Sequence, residues 1–129
     1  MKNDEPQQGL IAREYKRLKD RCVWSWAGFR HTYVSEPSFR SWVYANVLSI
    51  GLTFALPITP AQQLIIVVLG ILVLVAELLN TSIERLTDLV TQEHHELAGQ
   101  AKDAGSAAVA VTAIAAGVAW GFALVGLMG

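Results

Sequence analysis

The segment AELLNTSIERLTDLVTQEHHELAGQAKDAG, residues 76–105, carries side chains whose types and spacing could do chemistry. On a helix, Glu77, Asn80 and Glu84 fall at i, i+3 and i+7 and share one face, with Thr81 and Asp88 flanking the stripe. Glu77 also ends a run that has held no charged residue since Arg40. An ionisable group at such a place is costly and is by default a functional hypothesis. Leu78 and Leu79 follow it directly. Its carboxylate must therefore face a packed polar partner, a wet cleft or a headgroup layer. A carboxylate kept from bulk water can serve as a proton acceptor, and Asn80 could fix its geometry. The plainer reading of Glu84 and Asp88 is two solvated residues, with Arg85 pairing Asp88 at i+3.

A second cluster follows in EHHELAGQAKD. Glu93, His94, His95 and Glu96 precede a helix on which Glu96, Gly99, Asp103 and Ser106 share a face, with Lys102 beside it. Adjacent histidines point in different directions on any regular backbone, and no third ligand stands at zinc spacing, which argues against zinc. Oxygen ligands without thiolates suit magnesium, which takes one or two carboxylates plus substrate phosphates. Glu84 is the best local candidate, and Glu36, in VSEPSFR, could complete the pair. Lys102 is then either a point charge for phosphate or a lysine that reaches out of the lipid. Neither a GxxxxGK[ST] loop nor a protein-kinase motif set is present.

The elements that must position these groups are legible in the charge distribution. The chain has 129 residues, 53% hydrophobic and only 16% charged. Residues 41–76 and 104–129 contain no Asp, Glu, Lys or Arg. A spanning helix needs about 20 apolar residues, so the first stretch suits two spans joined at LPITPAQQ, where Pro57 and Pro60 break the helix. The expected spans are 41–57, 62–80 and 104–126. All 10 Lys and Arg fall in 1–40 or 85–102, which places both regions and the N-terminus in the cytoplasm and leaves the C-terminus on the far side. No removable signal peptide is evident.

Upstream, Leu10, Ile11, Tyr15, Leu18, Cys22, Trp26 and Phe29 form one helical stripe among many basic residues. That pattern predicts an amphipathic helix over about 9–33 lying in the membrane interface. Trp24, Trp26, Trp42 and Trp120 fit an aromatic belt. The single Cys22 excludes an intrachain disulfide, and a net charge of -1 gives no reason to expect nucleic acid as a partner. Small residues from Gly99 to Ala108 permit close helix packing and suggest oligomerisation. The expected organisation is a flexible stretch at 1–8 and one all-α membrane domain over 9–129.

Three passages carry a resemblance: AELLNTSIERLTDLV, HHELAGQAKDAGSAAV, and WSWAGFRHTYVSEPSFR upstream. Over nearly the whole chain from Arg17, the sequence resembles the small bacterial integral-membrane diacylglycerol kinases, whose Gram-positive relatives phosphorylate undecaprenol. The run HELAGQAKDAGSAA is closer to the diacylglycerol branch.

The resemblance implies a homotrimer in the bacterial inner membrane, each chain with a surface helix and three spans. It would transfer the γ-phosphate of ATP to a lipid hydroxyl at the cytoplasmic face. Glu77 matches the family's catalytic base, Glu84 and Glu36 its magnesium ligands, and Asn80 lies between base and ligand. Arg17, Trp24, Glu93, His94, His95, Lys102 and Asp103 match nucleotide contacts, together with the two metal carboxylates. Lipid contacts would come from Arg17 and from the run Arg21, Cys22, Val23, Trp24, Ser25 and Trp26. Arg30, His31, Thr32 and Tyr33 follow, then Ser38, Phe39, Arg40, Ser41 and Trp42, with Glu77, Ser106 and Trp120 completing the set. Trp42 stands where a more polar residue is expected. Outside the family, a proton-coupled transporter with Glu77 as its carrier is the rival, but such a carrier belongs near the midplane. A structural scaffold leaves the HELAGQAKD run unexplained.

Overall fold

The computed structural model describes residues 5–128, with side chains from residue 9. The N-terminal stretch expected to be flexible lies outside the described residues at 1–4, as does Gly129. Four helices follow in order: α1 (Glu5–Ser35), α2 (Pro37–Ala55), α3 (Pro60–Val90) and α4 (Glu96–Val125). The described residues contain no strand. One compact unit ends at Ser35 and the second begins at Glu36.

The first unit is α1 alone, longer at both ends than the expected 9–33. Leu10, Ile11, Tyr15, Leu18, Trp24 and Trp26 are exposed along it, and Trp26 stacks on Phe29 with ring centroids 6.2 Å apart.

In the second unit, α3 packs against both α2 and α4. Each helix start has a local cause. Glu36 is extended (φ -108°, ψ 109°), as the residue before a proline prefers, and Pro37 opens α2 at a position where its missing N–H costs nothing. At α3 the Thr59 hydroxyl accepts from the Gln62 amide, while Gln62 Oε1 accepts from the Thr59 amide at 2.9 Å, a reciprocal capping box with Pro60 at the first turn. Between α3 and α4 the chain turns in TQEHH, where Thr91 Oγ1 accepts from the Glu93 amide at 3.2 Å.

The buried positions on α3 are Ile66, Gly70, Val73, Glu77 and Thr81, a stripe at helical spacing. Two glycines let helices close in. A Cβ at Gly70 would overlap the Asn46 amide of α2, and one at Gly105 would overlap Asn80 Oδ1. Polar side chains on α3 and α2 thus pack directly on bare backbone.

α3 and α4 are long and apolar enough to cross a membrane. α3 runs ten residues past the expected end of the second span, and α4 begins eight before the expected third. α2 fits the expected first span in position, but Arg40, Trp42, Asn46 and several hydroxyls lower its hydropathy, and it does not qualify by composition.

Candidate functional site

Glu77 is 5% exposed and continues the packed stripe of α3 rather than turning outward. The Trp42 indole N–H of α2 donates a hydrogen bond to its carboxylate, and the Glu84 and Glu36 carboxylates lie within electrostatic reach. A tryptophan at position 42 is thereby explained, since it supplies a donor to a buried acid. With a rise of about 1.5 Å per residue, Glu77 stands about 25 Å along α3 from Pro60 and Glu84 about 36 Å. Glu77 thus lies within one hydrocarbon thickness of about 30 Å from Pro60, and Glu84 beyond it.

Two carboxylates flank this position. Asn80 Nδ2 donates to Glu84 Oε1 at 3.0 Å, which orients the acid one turn along the same helix. The other Asn80 amide atom, Oδ1, is buried without a hydrogen-bond partner. Glu36 occupies the N-cap of α2 yet makes no side-chain cap bond. Instead Arg85 Nη2 donates to Glu36 Oε1 at 3.0 Å, joining residues 49 apart. The Arg85–Asp88 pair of the plainer reading is replaced by two longer-range pairs, because Asp88 meets Lys102 Nζ at 2.5 Å across α3 and α4.

No group of three or more His, Cys, Asp or Glu able to hold a metal exists among the described residues. Glu36 and Glu84 offer oxygen donors alone, the type that magnesium takes one or two of beside substrate phosphates and water.

Four of the residues matched to nucleotide contacts come together. Glu93, His94, His95 and Lys102 line one cavity of about 360 Å³ between the end of α3 and the start of α4. Thr87, Asp88, Thr91 and Gln92 also line it. Of these, only Asp88 was marked by charge; the uncharged residues gave no spacing signal. Asp103 is exposed on α4 and is not among the lining residues.

The residues matched to lipid contacts are more dispersed. Trp42 and Trp120 line a cavity of about 210 Å³ with Asn46, Ser49 and Gly70, and Trp120 Nε1 donates to Ser49 Oγ at 2.8 Å. Ser38, Ser41 and Ser106 are exposed, Arg40 is half-buried, and Phe39 is fully buried. Within α1, Arg21, Cys22, Ser25 and Trp26 line an open groove with Phe29. Val23, Trp24, Arg30 and His31 are exposed, Tyr33 is half-buried and Thr32 is buried. Arg17 pairs with Glu14 at 2.6 Å within the helix.

Comparison with known proteins agrees with these features. Residues 23–124 match the family model described as prokaryotic diacylglycerol kinase. The chain is 33% identical over 106 residues to the diacylglycerol kinase of Escherichia coli (strain K12), covering 82% of this chain and 87% of that one. It is 36% identical over 111 residues to the Pseudomonas aeruginosa diacylglycerol kinase, covering 86% and 90%, and 35% identical over 104 residues to the Haemophilus influenzae one, covering 81% and 88%. With four-fifths of the chain matched and the acidic stripe of α3 inside the match, this protein belongs to the prokaryotic diacylglycerol kinase family.

Proposed function

We propose that this membrane-embedded lipid kinase transfers the γ-phosphate of ATP to the free hydroxyl of diacylglycerol, giving phosphatidic acid at the cytoplasmic face of the bacterial inner membrane. The observation that carries the reading is the position of Glu77: buried at the polar end of an apolar helix, with the Glu84 and Glu36 carboxylates beside it. A lipid hydroxyl sits at that same depth.

In this reading Glu77 takes the hydroxyl proton as the alkoxide oxygen attacks the γ-phosphorus, and the bond to the bridging oxygen breaks so that ADP leaves. The Trp42 N–H holds the Glu77 carboxylate in place during approach of the hydroxyl. Glu84, oriented by Asn80, and Glu36 hold magnesium, which when bound neutralises phosphate charge. Lys102 and the Glu93–His95 turn receive the nucleotide in the cavity that they line. Catalysis is then positioning and charge stabilisation, as in other phosphoryl transfers. α2 acts as a third span beside α3 and α4, the N-terminus is cytoplasmic, and three chains associate as a homotrimer through the small-residue faces.

A carrier carboxylate of a transporter belongs near the bilayer midplane, and Glu77, about 25 Å along its helix, does not suit that task. The deciding experiment is ATP-dependent phosphate transfer by purified protein in mixed micelles, with diacylglycerol and undecaprenol side by side, with and without Mg²⁺. Magnesium-dependent product from diacylglycerol is expected. Product from undecaprenol alone would move the substrate to the other branch, and no product from either would overturn the kinase reading.

A further inference from the structure

Glu36 is an acid at the start of a helix. The short Asp side chain is the carboxylate that ordinarily caps the first free amides of a helix; the longer Glu36 side chain makes no such bond and is left for another partner. It is taken by Arg85, which follows Glu84 on α3 and reaches across to α2 with Nη2 3.0 Å from Glu36 Oε1. The two flanking acids are therefore held differently: Glu84 by the neutral amide of Asn80, Glu36 by a full positive charge.

We propose that Arg85 is the resident counter-cation of the divalent-metal site, neutralising Glu36 when metal is absent and competing with metal for that carboxylate. The inference rests on the reading of Glu36 and Glu84 as the metal carboxylates. The Glu36 and Glu84 carboxylates both act electrostatically on Glu77, so this end of α2 and α3 gathers negative charge. Arg85 offsets part of that charge. The guanidinium and a divalent ion draw on the same carboxylate oxygens, so metal entry has to displace or share the Arg85 contact. The pair is breakable, because its side chains are 42% and 30% exposed and water screens it. Arg85 thus weakens metal binding while keeping the empty site assembled.

The test is Mn²⁺ titration by electron paramagnetic resonance, with purified full-length protein in detergent micelles, reading bound metal rather than activity. Arg85→Gln, which removes the charge and keeps donor groups, is expected to tighten Mn²⁺ binding by about two- to fivefold, the range for one screened charge at a partly exposed site. Arg85→Lys, which restores the charge, should return the affinity to within about twofold of the parent. Arg85→Ala carries the same expectation as Arg85→Gln should the glutamine disturb folding. Glu36→Gln and Glu84→Gln are the controls for the site itself. If both lose Mn²⁺ while Arg85→Gln and Arg85→Ala bind it no more tightly than the parent, the metal site stands and the role of Arg85 falls. If neither control loses Mn²⁺, the metal reading fails and takes the proposal with it.

Discussion

Asn80 Nδ2 and Glu84 Oε1 are 3.0 Å apart across one turn of α3, and the opposite face of the same amide, Oδ1, is pressed towards Gly105 of α4 without a hydrogen-bond partner. The amide is thus fixed from both sides, by an acid that needs its donor and by a helix that leaves it no other orientation. Asn80→Ala removes the donor, and hydrogen bonds to charged groups contribute about 1.5–3 kcal/mol. The expected result is a Mg²⁺ requirement raised about tenfold with the fold unchanged, read from a magnesium titration of activity beside circular dichroism.

Gly105→Ala tests the other side of that contact. The added Cβ would overlap Asn80 Oδ1, and overpacking of this kind costs about 1–3 kcal/mol. Thermal unfolding in detergent should begin several degrees lower. Ala at Gly99, a helical position where a Cβ meets nothing, should not lower it and should raise it slightly, since Gly in a helix costs about 0.5–1 kcal/mol relative to Ala.

Trp42→Phe keeps an aromatic ring and deletes the N–H that reaches Glu77. Turnover is expected to fall about tenfold with KM for ATP unchanged, because the donor serves the base and not the nucleotide. Equal turnover in the two proteins would remove Trp42 from the machinery.

Lys102 and Asp88 form a pair with 38% and 57% exposed side chains in the wall of the candidate nucleotide cavity. Exposed pairs contribute about 0–1 kcal/mol to stability, so neither Lys102→Met nor Asp88→Asn should shift thermal unfolding by more than a few degrees. Their kinetics should differ. Lys102→Met is expected to raise KM for ATP about tenfold, while Asp88→Asn leaves it within about threefold; a matching rise in both would mean that the pair acts as a unit.

Glu77→Gln keeps the size of the side chain and removes the proton acceptor. Turnover should be abolished while binding of an ATP analogue, measured by fluorescence quenching or calorimetry, is largely spared. Near-normal turnover would end the assignment of Glu77 as base.

What the sequence made legible is what lies close along the chain. The Glu77, Asn80 and Glu84 stripe follows from helical periodicity, and the break before α3 from Pro57 and Pro60, with Thr59 between them. The turn bearing Glu93, His94 and His95 and its link to Lys102 came from the motif, and all four side chains line one cavity. Contacts at long separation had no such signal: Arg85 with Glu36 across 49 positions, and Trp120 with Ser49 across 71. The Arg85–Asp88 pair of the plainer reading gives way to longer-range pairs for this reason, since i+3 geometry permits a pair but cannot weigh it against partners on other helices. The reach of α3 to Val90 was also hidden. Loss of hydropathy at Glu84, Arg85 and Asp88 marks where apolar surroundings would end, not where a helix must, because charged residues propagate a helix readily in water.

That uninterrupted reach makes α3 a depth gauge. Because Glu77 and Glu84 ride on one rigid rod, their separation along its axis is about 10.5 Å and is held without any loop or hinge. The rod can only tilt or slide as a whole. Whatever moves one of these acids in depth therefore moves the other by the same amount.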